Sequence, residues 1–467
     1  MAAPQFPVES PMWWVYRLHT RLIEQAKSFA VFDDYYCGNH PLPWLAEQAQ
    51  DDFRRILKMT RSNYMGLVVD AMVERMTVEG FRVAGEVDAD ADMWRIWQAN
   101  RLDGYFDQAL LESAIGGQSF MLVAPNAADV KTPHVWVEHP TQAIVAYEPG
   151  TNRRVRAAGL KLWRDDWTGR LCATLYLPES IHKFESEGTS STAVASDKIR
   201  WRPRVVIGEE WPAGNPLGVV PLHEIANNPR LLSGGVSEIH DVIDVQDRIN
   251  KTVADRLMTQ DFGAFPQKWS SGWPETDGNG QPSRKINVGR DRMVTTDVAE
   301  TKFGQWDAAP LDPYSAAKRE DVKDVASRTR TPAQYLLGEM SNVNGETLKA
   351  SESGLVSKVR QRGRTTGEDL EDVQQTVRRA AGLPPAVSIE TIWKNPEFRT
   401  EGELVDGLVK MSTLGVPYEA LWERWGASVT EMNRWRELAA QQDGVLERVT
   451  RPVAEIGAGN ADTGHGS

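Results

Sequence analysis

Three aspartates open the search for chemistry. Asp88, Asp90 and Asp92 alternate as the first ligands of a calcium loop do. Such a loop needs Gly at its sixth position and Glu at its twelfth. Met93 and Ala99 stand there instead, so these carboxylates are expected to lead into a helix over Met93–Asn100 and to hold no metal. The eight His are scattered, and His134 and His139 fall in strand-like sequence, where a structural role is the default. Cys37 and Cys172 are far apart with no metal-like spacing, which argues against a disulfide framework and fits a reducing compartment. The chain has no G-x-x-x-x-G-K-[ST], H-E-x-x-H or G-x-S-x-G motif, so no phosphate-cradling loop, zinc-protease helix or nucleophile elbow is expected. Gly457-Ala458-Gly459 follows no strand and is no dinucleotide fingerprint. Asn250-Lys251-Thr252 formally matches a glycosylation acceptor but lies mid-helix. No catalytic residue and no cofactor is expected.

The remaining chemistry is that of surfaces. The 467 residues are 41% hydrophobic and 25% charged, with a formal net charge of −12. A protein that grips nucleic acid tightly carries a basic surplus, so any contact with nucleic acid should be loose. Seventeen Trp is a heavy load, suited to buried cores and to subunit interfaces. The opening MAAPQFPVESPMWW has no basic region followed by an apolar run, so no secretory signal is expected. No 18-residue apolar stretch is present, and no membrane partner is expected.

The elements that must position these surfaces follow from periodicity. In Gly234–Phe265 the apolar residues Ile239, Val242, Ile243, Ile249, Val253, Leu257 and Met258 form one stripe at helical spacing. Asp241, Asp244, Asp247, Arg248, Lys251, Asp255 and Arg256 occupy the other face. With Ser237 as N-cap and Glu238 in the first turn, the helix Ser237–Asp261 would be about 37 Å long, at about 1.5 Å per residue. Such a helix suits a long core or a ring in which each copy buries its stripe partly on a neighbour. Asp312–Arg330 should be a second long helix, with Pro313 at its first position. Between the two lies a loop-rich stretch.

Before this hairpin, helices are expected at Met12–Ala30, Asn63–Met76 and Asp103–Ala114. The period then changes to 2, predicting strands at Ser119–Val123, His134–Glu138, Ala143–Tyr147, Val155–Trp163, Leu171–Leu177, Ile181–Phe184, Ile199–Val206 and Val219–Ile225. Segregated helices and strands indicate an α+β fold. Asp33–Leu45 reads as an ordered loop, and Ala333–Gly345 as a short irregular stretch. Glu346–Arg379 reads as a helix interrupted and bent by Gly354, Gly363 and Gly367. Two or three short helices are expected in Phe398–Leu438, then a disordered Gly/Ala-rich tail.

Five segments in fixed order carry a resemblance: DDYYCGNHPL (Asp33–Leu42), NYMGLVVDAMVERMTVEGF (Asn63–Phe81), NPLGVVPLHEIANNPR (Asn215–Arg230), GVSEIHDVIDVQDRINKTVADRL (Gly235–Leu257) and FPQKWSSG (Phe265–Gly272). Together they resemble the portal proteins of tailed bacteriophages, in the branch typical of phages of actinobacteria, over roughly residues 30–440. The resemblance implies a homo-oligomeric ring of about twelve copies at one capsid vertex of the virion, assembled in the host cytoplasm. Its implied partners are the terminase large subunit, a head–tail connector or adaptor, the major capsid and scaffolding proteins, and double-stranded DNA passing through a channel.

The implied organisation is a wing at 1–235 with 1–12 loose, a first stem helix at 236–263, a clip at 264–311 and a second stem helix at 312–330. A tunnel loop at 331–345, a bent wing helix and connection at 346–396, a helical crown at 397–448 and a disordered tail at 449–467 complete it. On this pattern Gln334, Tyr335, Met340, Asn342 and Asn344 are tunnel-loop candidates, polar or soft enough to touch moving phosphates without holding them. Lys349 and Arg360 are candidates for a basic ring. Trp269, Trp273, Arg284 and Arg292 are candidates for clip contacts with the motor or connector, the plainer reading of both Trp being packing within the clip. Two other classes stay open: a nuclease or hydrolase with a dispersed site, and a module that grips DNA in solution.

Overall fold

The computed structural model describes residues 6–43, 57–86, 89–152, 155–231, 233–264, 268–272, 300–305, 307, 309–338, 345–397, 401–427 and 429–450. The described residues fall into two compact units. One draws on Met1–Asp33, Val68–His240 and Val343–Ser467, the other on Asp34–Leu67 and Asp241–Asn342.

The first unit is built on antiparallel sheets. Strands β1 (Val78–Val83), β2 (Gln118–Ala124), β3 (His134–Glu138), β4 (Ala143–Tyr147), β5 (Arg156–Arg164), β6 (Arg170–Tyr176), β7 (Ser180–Thr189), β8 (Trp201–Pro203), β9 (Ala213–Gly214) and β10 (Leu222–Ala226) follow in chain order. One sheet runs β4-β5-β6-β7-β8, with β9 paired to β7; a second runs β10-β2-β3. Alternation along β4 separates two cores, because successive strand residues point to opposite faces. Ile144 and Ala146 join Val15, Leu18 and Leu22 of helix α1 (Pro11–Tyr36), together with Leu160, Leu162, Leu171, Ala173 and Leu175. Ala143 and Val145 join Phe120, Leu122, Val220 and Leu222. Gly159 of β5 packs tightly on this second core: a Cβ there would lie 3.0 Å from the Val220 side chain and 3.1 Å from Leu222 of β10.

Helices α2 (Met65–Val73), α3 (Ala91–Ala99) and α4 (Leu102–Gly116) come before β2 in the chain, α3 packing on β1 and α4 on β2 and β3. Asp90 caps α3, its carboxylate accepting from the Met93 N–H at 2.9 Å. The expected lead-in role for this aspartate is therefore what the structure has. Gly116-Gly117 ends α4, just past the expected end at Ala114, for a steric reason. Gly117 has φ 93°, and a Cβ on the facing Gly235 would lie 1.7 Å from the Gly117 carbonyl oxygen. At both positions only glycine fits.

The second unit holds α5 (Ile243–Ala264) and α6 (Asp312–Thr329), packed on one another, with a ribbon of β11 (Lys268–Ser271) and β12 (Lys302–Gln305) in the chain between them. Helix α7 (Ala333–Leu337) follows, so the stretch expected to be irregular begins with a short helix after Pro332. The 36-residue helix α8 (Gly345–Ala380), strand β13 (Ile389–Trp393) and helices α9 (Glu401–Thr413), α10 (Tyr418–Trp425) and α11 (Val429–Thr450) complete the chain. β13 pairs antiparallel with β1, more than 300 residues earlier, from Val83↔Ile389 to Val78↔Trp393.

Three sequence expectations need correction. α1 runs on to Tyr36 and takes up the DDYY residues expected in a loop. The first long helix starts not at Ser237 but at Ile243, after a single 3-10 turn at His240–Val242. Ser237 and Glu238 precede it, Ser237 buried and Glu238 with its side chain only 4% exposed. Gly354, Gly363 and Gly367 do not interrupt α8. Gly363 and Gly367 instead leave room for the Trp393 ring, which lies 3.7 and 3.3 Å from where their Cβ atoms would stand.

Candidate functional site

Helix α8 has two faces of opposite character. Leu355, Val356, Val359, Leu370, Val373 and Val377 are buried at helical spacing, as the sequence indicates. Charged residues lie buried or half-buried among them, and each meets a partner outside the helix. Glu352 pairs with Arg75 at 3.4 Å. Asp369 accepts from the Ala226 N–H of β10 at 2.8 Å. Arg378 donates to Asp90 at 2.7 Å and to the Pro384 carbonyl at 3.1 Å.

The densest of these contacts centres on Glu238. Its carboxylate accepts from Arg362 Nε at 2.5 Å and from Asn227 Nδ2 at 3.1 Å, and Lys358 Nζ stands 3.4 Å away. Arg362 also donates to Asn228 Oδ1 at 2.9 Å. The three charged side chains are between 4% and 9% exposed. Burial alone would push the Glu238 carboxyl up. The Lys358 and Arg362 cations and the two hydrogen bonds outweigh it and hold the group below the usual carboxylate range. The strand end is fixed as well: Glu238 N–H donates to Ala114 O at 2.9 Å and Val236 N–H to Asn227 O at 2.7 Å. Sequence reasoning missed Glu238 by placing it in a helix's first turn. A signal was present, because Lys358 and Arg362 are four residues apart within the apolar phase of α8, where a cation needs a buried anion.

A second cluster joins α8 to β10. His223 is fully buried, and its Nδ1 receives Arg156 at 2.9 Å and lies 3.4 Å from Asp372. Arg156 also pairs with Asp372, a half-exposed residue. Burial, with Arg156 beside it, lowers the His223 pKa to about 4, so the ring is neutral at pH 7. Asp372 lies below its usual range: burial raises it, but its contact with the Arg156 guanidinium outweighs that.

The other face of α8 meets solvent. From Lys349 to Arg364 its exposed residues are Ala350, Ser351, Ser353, Ser357, Arg360 and Gln361 between those two cations, with no exposed carboxylate among them. Arg360 is exposed but ion-paired to Glu397 at 2.5 Å. Arg364, which the sequence reading did not select, stands one turn further along the same face.

In the second unit the helix pair is fastened by polar groups. Gln246 and Asn250 of α5 are fully buried. Asn250 Oδ1 accepts from Ser62 N–H at 3.0 Å, and Gln246 Oε1 from Tyr64 N–H at 3.1 Å. Tyr35 OH donates to Asp247 at 2.9 Å, and His40 stacks on the Tyr35 ring at 5.3 Å. The tyrosine-rich motif is thus an anchor for α5. On the open side, Arg248 of α5 bridges Asp321 at 2.8 Å and Asp324 at 2.7 Å on α6.

The other sequence candidates are placed as follows. Gln334 and Tyr335 lie half-buried on α7, in the second unit; Lys349 and Arg360 belong to the first. Met340, Asn342 and Asn344 lie outside the described residues, as do Trp273, Arg284 and Arg292. Trp269 of β11 is 40% exposed. It also packs across the ribbon onto Gly304, where a Cβ would lie 2.5 Å from its ring, in line with the plainer reading of packing within its own segment. Among the described residues no group of His, Cys, Asp or Glu is placed to hold a metal, and no helix is long and apolar enough to cross a membrane.

A family model described as phage portal protein, SPP1 Gp6-like, matches residues 17–444. The chain is 29% identical over 401 residues to the portal protein of Mycobacterium phage L5, covering 80% of this chain and 78% of that one. It is 28% identical over 398 residues to the portal protein of Mycobacterium phage D29, with the same coverage. With an α+β fold of antiparallel sheets and long helices, and a family match over nearly its whole length, the chain belongs to the SPP1 Gp6-like family of phage portal proteins.

Proposed function

We propose that this portal protein assembles into a closed ring of about twelve subunits at one vertex of a phage capsid. DNA enters and leaves through the ring's channel, the terminase motor docks on it during packaging, and head–tail connector proteins attach afterwards. The observation that carries this reading is the family match over residues 17–444. The antiparallel pair α5–α6, with a β-ribbon in the chain between its helices, suits a wall element repeated around an axis.

The charge pattern is compatible with conduction. Duplex DNA carries about one charge per 1.7 Å, and a channel lined by many fixed cations would hold it. A chain of net charge −12 has little such grip. The ridge of α8 from Lys349 to Arg364 offers hydroxyls, an amide and a few cations, enough for brief phosphate contacts when repeated by every subunit. We assign Gln334, Tyr335, Met340, Asn342, Asn344, Lys349 and Arg360 to the channel side and Trp269, Trp273, Arg284 and Arg292 to the partner-binding side. No catalysis is proposed.

Electron microscopy of the purified protein tests the reading. The expected result is a closed ring of about a dozen copies with an open axis. A monomer in the presence of its capsid and scaffolding partners overturns it, and metal-dependent cleavage of DNA by the pure protein would move the assignment to a nuclease. Tight, salt-sensitive binding of a short duplex would favour a DNA-gripping module instead.

A further inference from the structure

Glu79 of β1 is a carboxylate in an unfavourable place. It is half-buried, and its Oε1 lies 3.5 Å from where a Cβ would stand on Gly426. Gly426, with φ 96°, is the left-handed cap that ends α10. The carboxyl therefore sits at the negative end of that helix's dipole, where an anion is disfavoured. Glu423 of α10 and Glu431 of α11 add like charge, and Lys394, just after β13, opposes them.

Two other cations of this region are engaged by carboxylates. Arg82 of β1 holds Glu423 at 2.6 Å and Glu390 of β13 at 3.3 Å. Arg360 of α8 holds Glu397 at 2.5 Å. Arg424 lines the same cleft of about 570 Å³, together with Glu79, Lys394, Glu397 and Glu423.

We propose that Glu79 is a proton-operated latch that fastens the C-terminal helices α9–α11 to the β1–β13 ribbon. When it carries a proton, the carboxylic acid is neutral beside the end of α10 and the contact closes. When it is ionised, it repels that helix end and the two neighbouring glutamates. Burial first, then Glu423 and Glu431, raise its pKa to about 7 against the pull of Lys394.

The sign follows from proton linkage. The closed state binds a proton that the open state, with an ordinary carboxyl near 4.5, releases. Closure is therefore strongest below about pH 4.5, weakens as pH rises through about 7, and is level above that. Arg82–Glu423 ties β1 to α10 separately from Glu79, so the helices loosen without leaving.

Hydrogen exchange of the α10 and α11 amides in the full chain, corrected for intrinsic rates, tests this between pH 4.5 and 8. Protection in the native chain should fall about tenfold across that range, a figure reduced from the full shift because the group is half in water. In Glu79→Gln, which keeps the neutral shape at every pH, the fall should shrink to less than about twofold, and protection at pH 7.5 should match the acid value. An equal slope in native chain and variant overturns the proposal. Should Glu79→Gln fail to fold, Lys394→Gln decides: removing the opposing cation should move the midpoint upward, and an unmoved midpoint overturns the latch. The Trp435 ring, 5.4 Å from both Trp422 and Trp425, gives a fluorescence signal for the same loosening.

Discussion

Helix α8 and the α5–α6 pair use the same residue types to opposite ends. Around Glu238, carboxylate and cations are removed from water; around Arg248, they stand in it. The Glu238 group, Lys358 and Arg362 are at most 9% exposed. Arg248 is 49% exposed, with Asp324 at 54% and Asp321 at 14%. The contacts around Glu238, 2.5 and 3.4 Å, bracket those around Arg248, 2.8 and 2.7 Å, so distance does not rank these pairs. Solvent does, because a buried charge that loses its partner has no water to replace it, whereas an exposed one has.

The sharpest way to break the comparison is Glu238→Gln. It leaves Lys358 and Arg362 buried with no counter-charge, and the chain should lose about 3–5 kcal/mol of stability in urea unfolding. A loss under 1 kcal/mol would mean that the two cations escape to water, and the contrast with Arg248 would collapse. In the native chain the Glu238 contribution is present above the ordinary carboxyl pKa and is lost as pH falls through its depressed folded value.

The second test uses His223, buried and neutral in the folded state. Its folded pKa of about 4 lies below the usual 6.5. On unfolding below pH 6.5 the ring gains a proton that the folded chain refuses. Stability should therefore fall between about pH 6.5 and pH 4, by roughly 3 kcal/mol at most. Replacement by Gln should lower stability at pH 7 but flatten this window, as read from thermal unfolding at each pH. An unchanged slope would assign the acid loss to carboxylates alone.

Much of this was legible before any coordinates. Strands β3 and β4 begin and end where the period-2 pattern places them, and α6 ends at the residue before Arg330. These elements are local: alternation or a helical stripe is written within their own residues. What stayed hidden is non-local. β13 is five residues, IETIW, whose partner strand lies at the other end of the chain, so nothing adjacent marks it. Glu238 reads as a helix-start acid because capping chemistry and buried ion pairing use the same residue type. The glycines of α8 read as hinges because the Trp393 ring that needs their space comes 26 residues or more later. Of the candidate site, sequence alone gave the basic face of α8 but not the Glu397 that occupies Arg360.

That reading of the glycines gives a smaller test on the same helix. At Gly363 the Trp393 ring is 3.7 Å from a built Cβ, an ordinary contact, and at Gly367 it is 3.3 Å, a tight one. Gly363→Ala should thus stabilise the chain by about 0.5–1 kcal/mol through helix propensity. Gly367→Ala should gain less, since the ring must shift. Equal gains would mean that the ring packing does not constrain α8.

The smallest effect is expected at Arg248→Ala. Two good hydrogen-bonded contacts to Asp321 and Asp324 would suggest a large loss if geometry ruled. Water solvates the freed Asp324 at once, and the long arginine side chain regains its rotamers, so the expected loss is about 0.5–1 kcal/mol. Asp321, more enclosed, sets the upper end. Raising ionic strength from 0.05 to about 0.5 M shortens the screening length from over 10 Å to about 4 Å, and should reduce the loss further. The same salt step should leave the Glu238→Gln loss almost unchanged, because ions do not enter the interior. If both variants respond to salt alike, then the Glu238 group is wetter than its burial indicates, and α8 is held by its apolar face alone.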